Sequence, residues 1–274
     1  MNRLLSANFM RLWKNRCFWG SMLFMLLAGV LIPVRYAFMR KDGVLLPMES
    51  NFFSCSLFIA ILLSLFCSLF LGTEYSDGTI RNKIIVGHRR SHIYLANLLT
   101  NTIAGLLMCA VYFITYLCIG IPLLGFFQAK ITMILLFIGI VALLIVAFSA
   151  LFTMAAMLFS SKAGVVAFCI LCAVFLIVAG TYLHAKLSAP KMLPMYSLDV
   201  NGVVEEKMER NRAYLEGIKR EVYQFLYDFL PGGQVIQCSS MEAKNPYRLL
   251  AYSGIIFILT TSAGIFIFSR KDIR

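Results

Sequence analysis

The chain has 274 residues, of which 60% are hydrophobic and 14% charged, with a formal net charge of +12. A soluble domain of this length carries about 25% charged residues, so the composition excludes a soluble globular protein. Several runs of roughly 20 apolar residues meet the length a bilayer demands of a helix, which makes the expected class an all-α polytopic membrane protein.

Residues 1–16 come first. Leu4, Leu5, Phe9, Leu12 and Trp13 recur at helical spacing, with Arg3, Arg11 and Lys14 on other faces. That pattern predicts an interfacial helix with its Trp at headgroup level. No small-residue cleavage site follows Leu31, so the first apolar run reads as a retained anchor rather than a signal peptide. Six spans are predicted: Phe18–Val34, Phe52–Gly72, Ile93–Ile121, Ile131–Phe159, Ala163–Leu183 and Leu249–Phe268. Pro33 and Pro122 fall at predicted span ends, where a missing N–H costs little. The first two spans are separated by a short polar loop with Arg35, Arg40, Lys41, Asp42 and Glu49. Gln128 and Lys130 separate the third and fourth.

Between the second and third spans lies a dense polar block, G-T-E-Y-S-D-G-T-I-R-N-K-I-I-V-G-H-R-R-S-H-I-Y-L-A-N, from Gly72 to Asn97. Ile80, Ile84 and Ile85 share one face and Asp77 precedes Arg81 by four residues. A short amphipathic helix ended by Gly87 is expected. Beyond it, Asn97, Thr100, Asn101 and Thr102 open the third span with groups that are costly to expose to lipid. His88 and His92 are four apart, but Arg89 and Arg90 crowd them and no further ligand or base is at hand, so a metal site is not expected there.

The longest polar stretch, residues 186–248, sits between the last two spans. From Val204 onward, Met208, Leu215, Ile218, Val222, Phe225 and Phe229 recur at three-to-four spacing, predicting one amphipathic helix stopped at Pro231-Gly232-Gly233. Cys67, Cys109, Cys169 and Cys172 lie inside apolar runs, where cysteine behaves as a small hydrophobe. Cys55, Cys118 and Cys238 fall where an outer bridge is open.

Charge sets the expected orientation. With both termini inside, the inner segments hold twelve basic residues against Glu74, Asp77 and Asp272, while the outer segments hold thirteen basic and ten acidic ones. The short loops therefore follow the positive-inside rule with both ends cytoplasmic. Most of the +12 is accounted for by membrane orientation, and no basic surface with stacking aromatics suggests a nucleic-acid partner.

Gly72–Asn97 resembles the first inner loop of type-2 ATP-binding-cassette (ABC) permeases. Those of low-GC Gram-positive bacteria carry a similar E-Y-x-x-G-T-I-R-N-K, then a glycine, a basic pair and I-Y. The basic N-terminal helix, the six spans, the long outer segment and the terminal F-S-R-K-D-I-R extend the resemblance over the whole length. It implies that residues 73–92 form a cytoplasmic coupling loop docked on a separate ATPase subunit. By position, Glu74, Tyr75, Asp77, Gly78, Thr79, Arg81, Asn82 and Lys83 would form or brace that contact. Asn97, Thr100 and Asn101 would lie near the inner mouth of a pathway. The whole would be the membrane-spanning subunit of an exporter in the bacterial plasma membrane. Its implied partners are two ATPase subunits and a second permease subunit, identical or homologous.

The chain has no G-x-x-x-x-G-K-[ST] phosphate loop. On this reading it is not itself an enzyme and binds no cofactor, and ATP and Mg belong to the partner ATPase. The Phe-, Met- and Leu-rich interior, with no intramembrane charged pair, suits amphipathic or hydrophobic cargo such as an antimicrobial peptide, lipid or drug. Two other classes remain. A membrane scaffold or sensor would use the same loop to hold a soluble partner without transport. An intramembrane enzyme would need converging groups, yet His88 and His92 belong to the inner loop and His184 to the opposite end of the fifth span.

Overall fold

The computed structural model describes residues 1–41, 47–159, 161–198 and 204–271. Asp42, Asp272 and Arg274, and the side chains of Arg40, Lys41, Glu205 and Glu206, lie outside the described residues.

After a short N-terminal helix α1 (Asn2–Trp13), the chain enters α2 (Arg16–Lys41). A single turn, α3 (Glu49–Phe52), leads into α4 (Cys55–Ser76). There follow α5 (Thr79–Ile85), α6 (Arg90–Leu124), α7 (Ile131–Leu158) and α8 (Lys162–Ser188). Next come two strands, β1 (Met192–Leu198) and β2 (Val204–Arg210), then α9 (Ile218–Phe229), α10 (Pro231–Ser240) and α11 (Pro246–Arg270). Six helices, α2, α4, α6, α7, α8 and α11, are long and apolar enough to cross a membrane. The chain is a multi-pass helical membrane protein, and all six predicted spans fall on these helices.

Five of the six spans outrun their predicted limits at one end or both, because the helix continues beyond the apolar run, whereas α7 keeps to the predicted Ile131–Phe159 within one residue. At 1.5 Å per residue α6 is about 50 Å long, well beyond the roughly 30 Å of hydrocarbon. A helix of this length tilts or extends past the apolar layer, and its N-terminal half carries Asn97 and Asn101 buried against the protein. α2 continues through Pro33 to Lys41, so that proline is internal rather than terminal. A membrane helix tolerates this where neighbouring groups satisfy the freed carbonyl.

α2 packs along α6, α11 along α7, and α4 against both α7 and α8. The interior is aromatic: Phe52 lies 4.7 Å from Phe113 and 5.4 Å from Tyr116, and Phe148 stacks on Phe152 at 5.7 Å. Cys67, Cys109 and Cys169 are buried in this packing. Cys55 and Cys109 bring their sulfurs to 3.8 Å, whereas Cys118 is exposed and Cys238 buried, and all are free thiols.

Residues 186–248 differ from the single helix predicted for them. Val204–Arg210 is a strand, paired antiparallel with Met192–Leu198 so that Met192 faces Arg210 and Leu198 faces Val204. In the hairpin the backbone groups of Val204–Arg210 pair across to Met192–Leu198 instead of along their own segment. The amphipathic helix exists but begins only at Ile218. Pro231 does not stop the chain. It occupies the first turn of α10, where its missing N–H is no loss. α10 is buried among α8, α4 and α7. It is tied in by Gln234, whose Nε2 donates to the Asp228 carbonyl at 2.9 Å and whose Oε1 accepts from Ser253 at 2.5 Å. A side chain on Gly232 would overlap the Leu176 carbonyl of α8, so a glycine is required where the two backbones touch.

Candidate functional site

The loop predicted to dock a partner is built from the end of α4, the whole of α5 and the start of α6. Gly78, in the left-handed conformation at φ 65°, ends α4 and turns the chain into α5. A second positive-φ glycine, Gly87 at 91°, turns it back toward α6. The predicted helix ended by Gly87 is thus present as Thr79–Ile85. The Asp77–Arg81 pair is not formed: Asp77 caps α4 on the far side of Gly78 and accepts from Ser76 at 3.1 Å.

Glu74 is the centre of the assembly. Its side chain has no solvent exposure, and it ion-pairs with Arg11 of α1 and, at 2.5 Å, with Lys83 of α5. Its second oxygen accepts from Asn97 Nδ2 of α6 at 2.9 Å. Asn8 of α1 closes the ring, donating to Asn97 at 2.6 Å and accepting from Lys83 at 3.1 Å. Arg11 also rests on the Phe70 ring, 4.6 Å from its centre. Four elements thus meet at one buried carboxylate. Taking a carboxylate out of water is expensive unless its charge is met and its lone pairs are filled, and here both conditions hold.

The rest of the loop is anchored as firmly. Thr79 Oγ1 donates to the Glu74 carbonyl at 3.0 Å and Tyr75 OH to the Met157 carbonyl of α7 at 2.9 Å. Lys271, just past α11, donates to the same Met157 carbonyl at 3.0 Å and lies 4.6 Å from the Tyr75 ring centre. Burial there draws its ammonium pKa down from the usual lysine range. At the other end of the loop, the Arg90 guanidinium donates to the Ser269 carbonyl at 3.1 Å and to the Lys271 carbonyl. It fills the unpaired carbonyls at the α11 C-terminus.

What remains facing outward is a compact tip. Ile85 and Val86 are 71% and 76% exposed, and they are flanked by the exposed Asp77, Arg81, Asn82 and Arg89. Ile85 was expected to share the packed face of Ile80 and Ile84. Ile80 is buried and Ile84 half-buried, but Ile85, the last residue of α5, lies five positions from Ile80, about 140° round the helix, and faces outward.

The residues singled out by sequence therefore divide into three groups. Glu74, Tyr75, Gly78, Thr79 and Lys83 brace the tip from within or shape its turn, while Asp77, Arg81 and Asn82 are presented on it. Asn97, Thr100 and Asn101 are all fully buried. Asn97 belongs to the Glu74 cluster, Thr100 donates to the Ala96 carbonyl at 2.8 Å, and Asn101 donates to Thr153 of α7 at 2.8 Å. They sit inside helix packing in this conformation and line no open passage. Sequence reading missed Asn8 and Arg11 as members of the cluster. The signal was present in α1, where Leu4, Asn8 and Leu12 recur every fourth residue and a polar side chain interrupts the buried face.

The chain matches no model of a known protein family and no curated protein sequence.

Proposed function

We propose that this chain is the membrane-spanning permease subunit of an ATP-driven exporter, with α5 and its tip as the contact for a separate ATPase subunit. The supporting observation is the contrast at residues 73–92: a charge cluster around the fully buried Glu74 carboxylate fixes the base of the loop, while two large apolar side chains stand exposed at its tip. A lever that transmits motion must be stiff along its length and adhesive at its end. Two apolar side chains inside a ring of charged groups provide the anchor and register of a docking contact. The tip carries more positive than negative charge, which suits a partner surface with acidic groups around an apolar pocket.

On this reading the Glu74 end faces the cytoplasm of a bacterial cell, an orientation the distribution of basic residues supports. Two permease chains, alike or different, face two ATPase subunits, and ATP and Mg stay on the latter. The cargo is amphipathic or hydrophobic, an antimicrobial peptide, lipid or drug. The burial of Asn97, Thr100 and Asn101 favours, as the second reading, a scaffold or sensor that docks a partner without a pathway. Purification of the tagged chain from native membranes in mild detergent separates the two. Recovery of an ATPase subunit in equal amount, with cargo-stimulated hydrolysis, is the expected result. A preparation free of ATPase at several detergent strengths contradicts the exporter and supports the scaffold.

A further inference from the structure

At the end of the bundle opposite Glu74, α9 lies across the last turn of α8 and the first turns of α11. Arg220 Nη2 donates to the Leu187 carbonyl at 3.0 Å, and Tyr227 OH lies 2.9 Å from His184 Nδ1. Phe225 and Phe229 stack at 5.7 Å, and both meet the Tyr252 ring edge-on at 5.9 and 5.7 Å. These contacts hold α9 at the depth where two spans leave the apolar layer, which is headgroup depth.

Around α9 two faces are distinct. Ile218, Val222, Phe225 and Leu226 form a stripe that is 80%, 49%, 51% and 37% exposed. On a membrane-spanning chain, hydrocarbon covers a stripe at this depth. Beside it, a cleft of about 650 Å³ opens between α9 and the start of α11. One wall carries Lys244 and Arg248, four residues apart; the other carries Glu221 and Asp228, with Phe225 and Tyr252 between. Neither Lys244 nor Arg248 has a side-chain hydrogen bond or ion pair among the described residues, and neither does Glu221. Asp228 is 3% exposed and accepts from Gln224 at 2.8 Å. Arg220 is spent on backbone carbonyls and on the Tyr214 ring. Phe225 belongs to both the stripe and the cleft, so the cleft opens toward the lipid.

We propose that this cleft binds the headgroup of a phospholipid that carries both a phosphate and a primary ammonium. The phosphate sits between Lys244 and Arg248, where charge-assisted hydrogen bonds meet it. The ammonium faces Glu221 and Asp228, and an acyl chain runs over Phe225 along the exposed stripe. The carboxylate wall disfavours a headgroup with negative charge alone. A trimethylated ammonium has no N–H to donate to the carboxylates, and a free anion leaves the aromatic rim and the stripe unused. The site is independent of the exporter reading, since it requires only a bilayer.

The full-length chain, purified in detergent and stripped of lipid, is titrated with phosphatidylethanolamine, phosphatidylglycerol or phosphatidylcholine, and bound lipid is counted by native mass spectrometry. Phosphatidylethanolamine is expected to bind at least ten-fold more tightly than the other two. K244Q/R248Q loses that binding ten-fold or more. E221Q loses the preference for ethanolamine over glycerol headgroups while still binding both. K219Q, altered on α9 outside the cleft, binds like the parent. Undiminished binding by a K244Q/R248Q protein that elutes and unfolds like the parent overturns the assignment. So does phosphatidylglycerol binding as tightly as phosphatidylethanolamine, or displacement of the lipid by millimolar inorganic phosphate.

Discussion

Glu74 and Asp77 stand three residues apart in one polar block, and nothing in their spelling separates them. Structurally they are opposites: Glu74 has no exposure and two cationic partners, whereas Asp77 is exposed and pairs with no cation among the described residues. Glu74→Ala leaves Arg11 and Lys83 without their anion and should destabilise the protein by about 3–5 kcal/mol. Asp77→Lys should stay within about 0.5 kcal/mol. Denaturant unfolding in micelles, followed by tryptophan fluorescence, measures both. Arg11→Ala should cost less than Glu74→Ala, because Arg11 is 34% exposed and Lys83 still meets the carboxylate. A second single-residue prediction concerns backbone contact rather than charge. Gly232→Ala drives a methyl group into the Leu176 carbonyl, while Gly254 has nothing within 4 Å of an added Cβ. The first should cost more than about 3 kcal/mol and the second should be tolerated, read as folded yield and midpoint of thermal unfolding.

Helices were legible in sequence to the extent that one continuous run of residues specifies them. The six spans each needed only their own apolar length, and α5 needed only its flanking glycines. The Glu74 cluster was not legible, because Asn8, Arg11, Glu74, Lys83 and Asn97 come from four elements and their meeting depends on how those elements pack. The outer segment failed for a related reason. Met208 and Leu215 fit a helical spacing that continues through Ile218, yet Val204–Arg210 pairs with a strand that has no such periodicity. Pro231-Gly232-Gly233 reads as a stop, but Pro at the first turn followed by glycines at a tight contact also begins a buried helix. Because α1 holds α5 through Asn8 and Arg11, loosening one element should loosen the other. Combining Asn8→Ala with Arg11→Ala should raise amide exchange across Thr79–Ile85 by ten-fold or more and leave the centres of α4 and α7 protected. Hydrogen exchange with mass spectrometry tests this coupling; unchanged exchange in α5 would show that α4 and α6 hold it alone.

Seen whole, the molecule places its two polar specialisations at opposite ends of the spans. One end carries a stiff, charge-braced loop with an apolar tip. The other carries a hairpin, an amphipathic helix and a buried short helix around a cleft at headgroup depth. The ends are joined by α4, α6 and α7, whose inner contacts are mainly apolar and aromatic, with the Asn101–Thr153 hydrogen bond between α6 and α7. A motion imposed at α5 would therefore reach the far end as rigid movement of helices rather than through a chain of polar contacts. That account stands or falls on whether the exposed tip is what a partner grips. Ile85→Ser with Val86→Ser removes the apolar tip and touches no residue of the Glu74 cluster, so insertion and unfolding should be unchanged. The decisive measurement is the amount of ATPase subunit recovered with this double variant from native membranes, relative to the parent chain. Loss of at least nine-tenths of the ATPase from a normally folded variant is the predicted result. Full recovery with full hydrolysis would contradict the docking role of the loop.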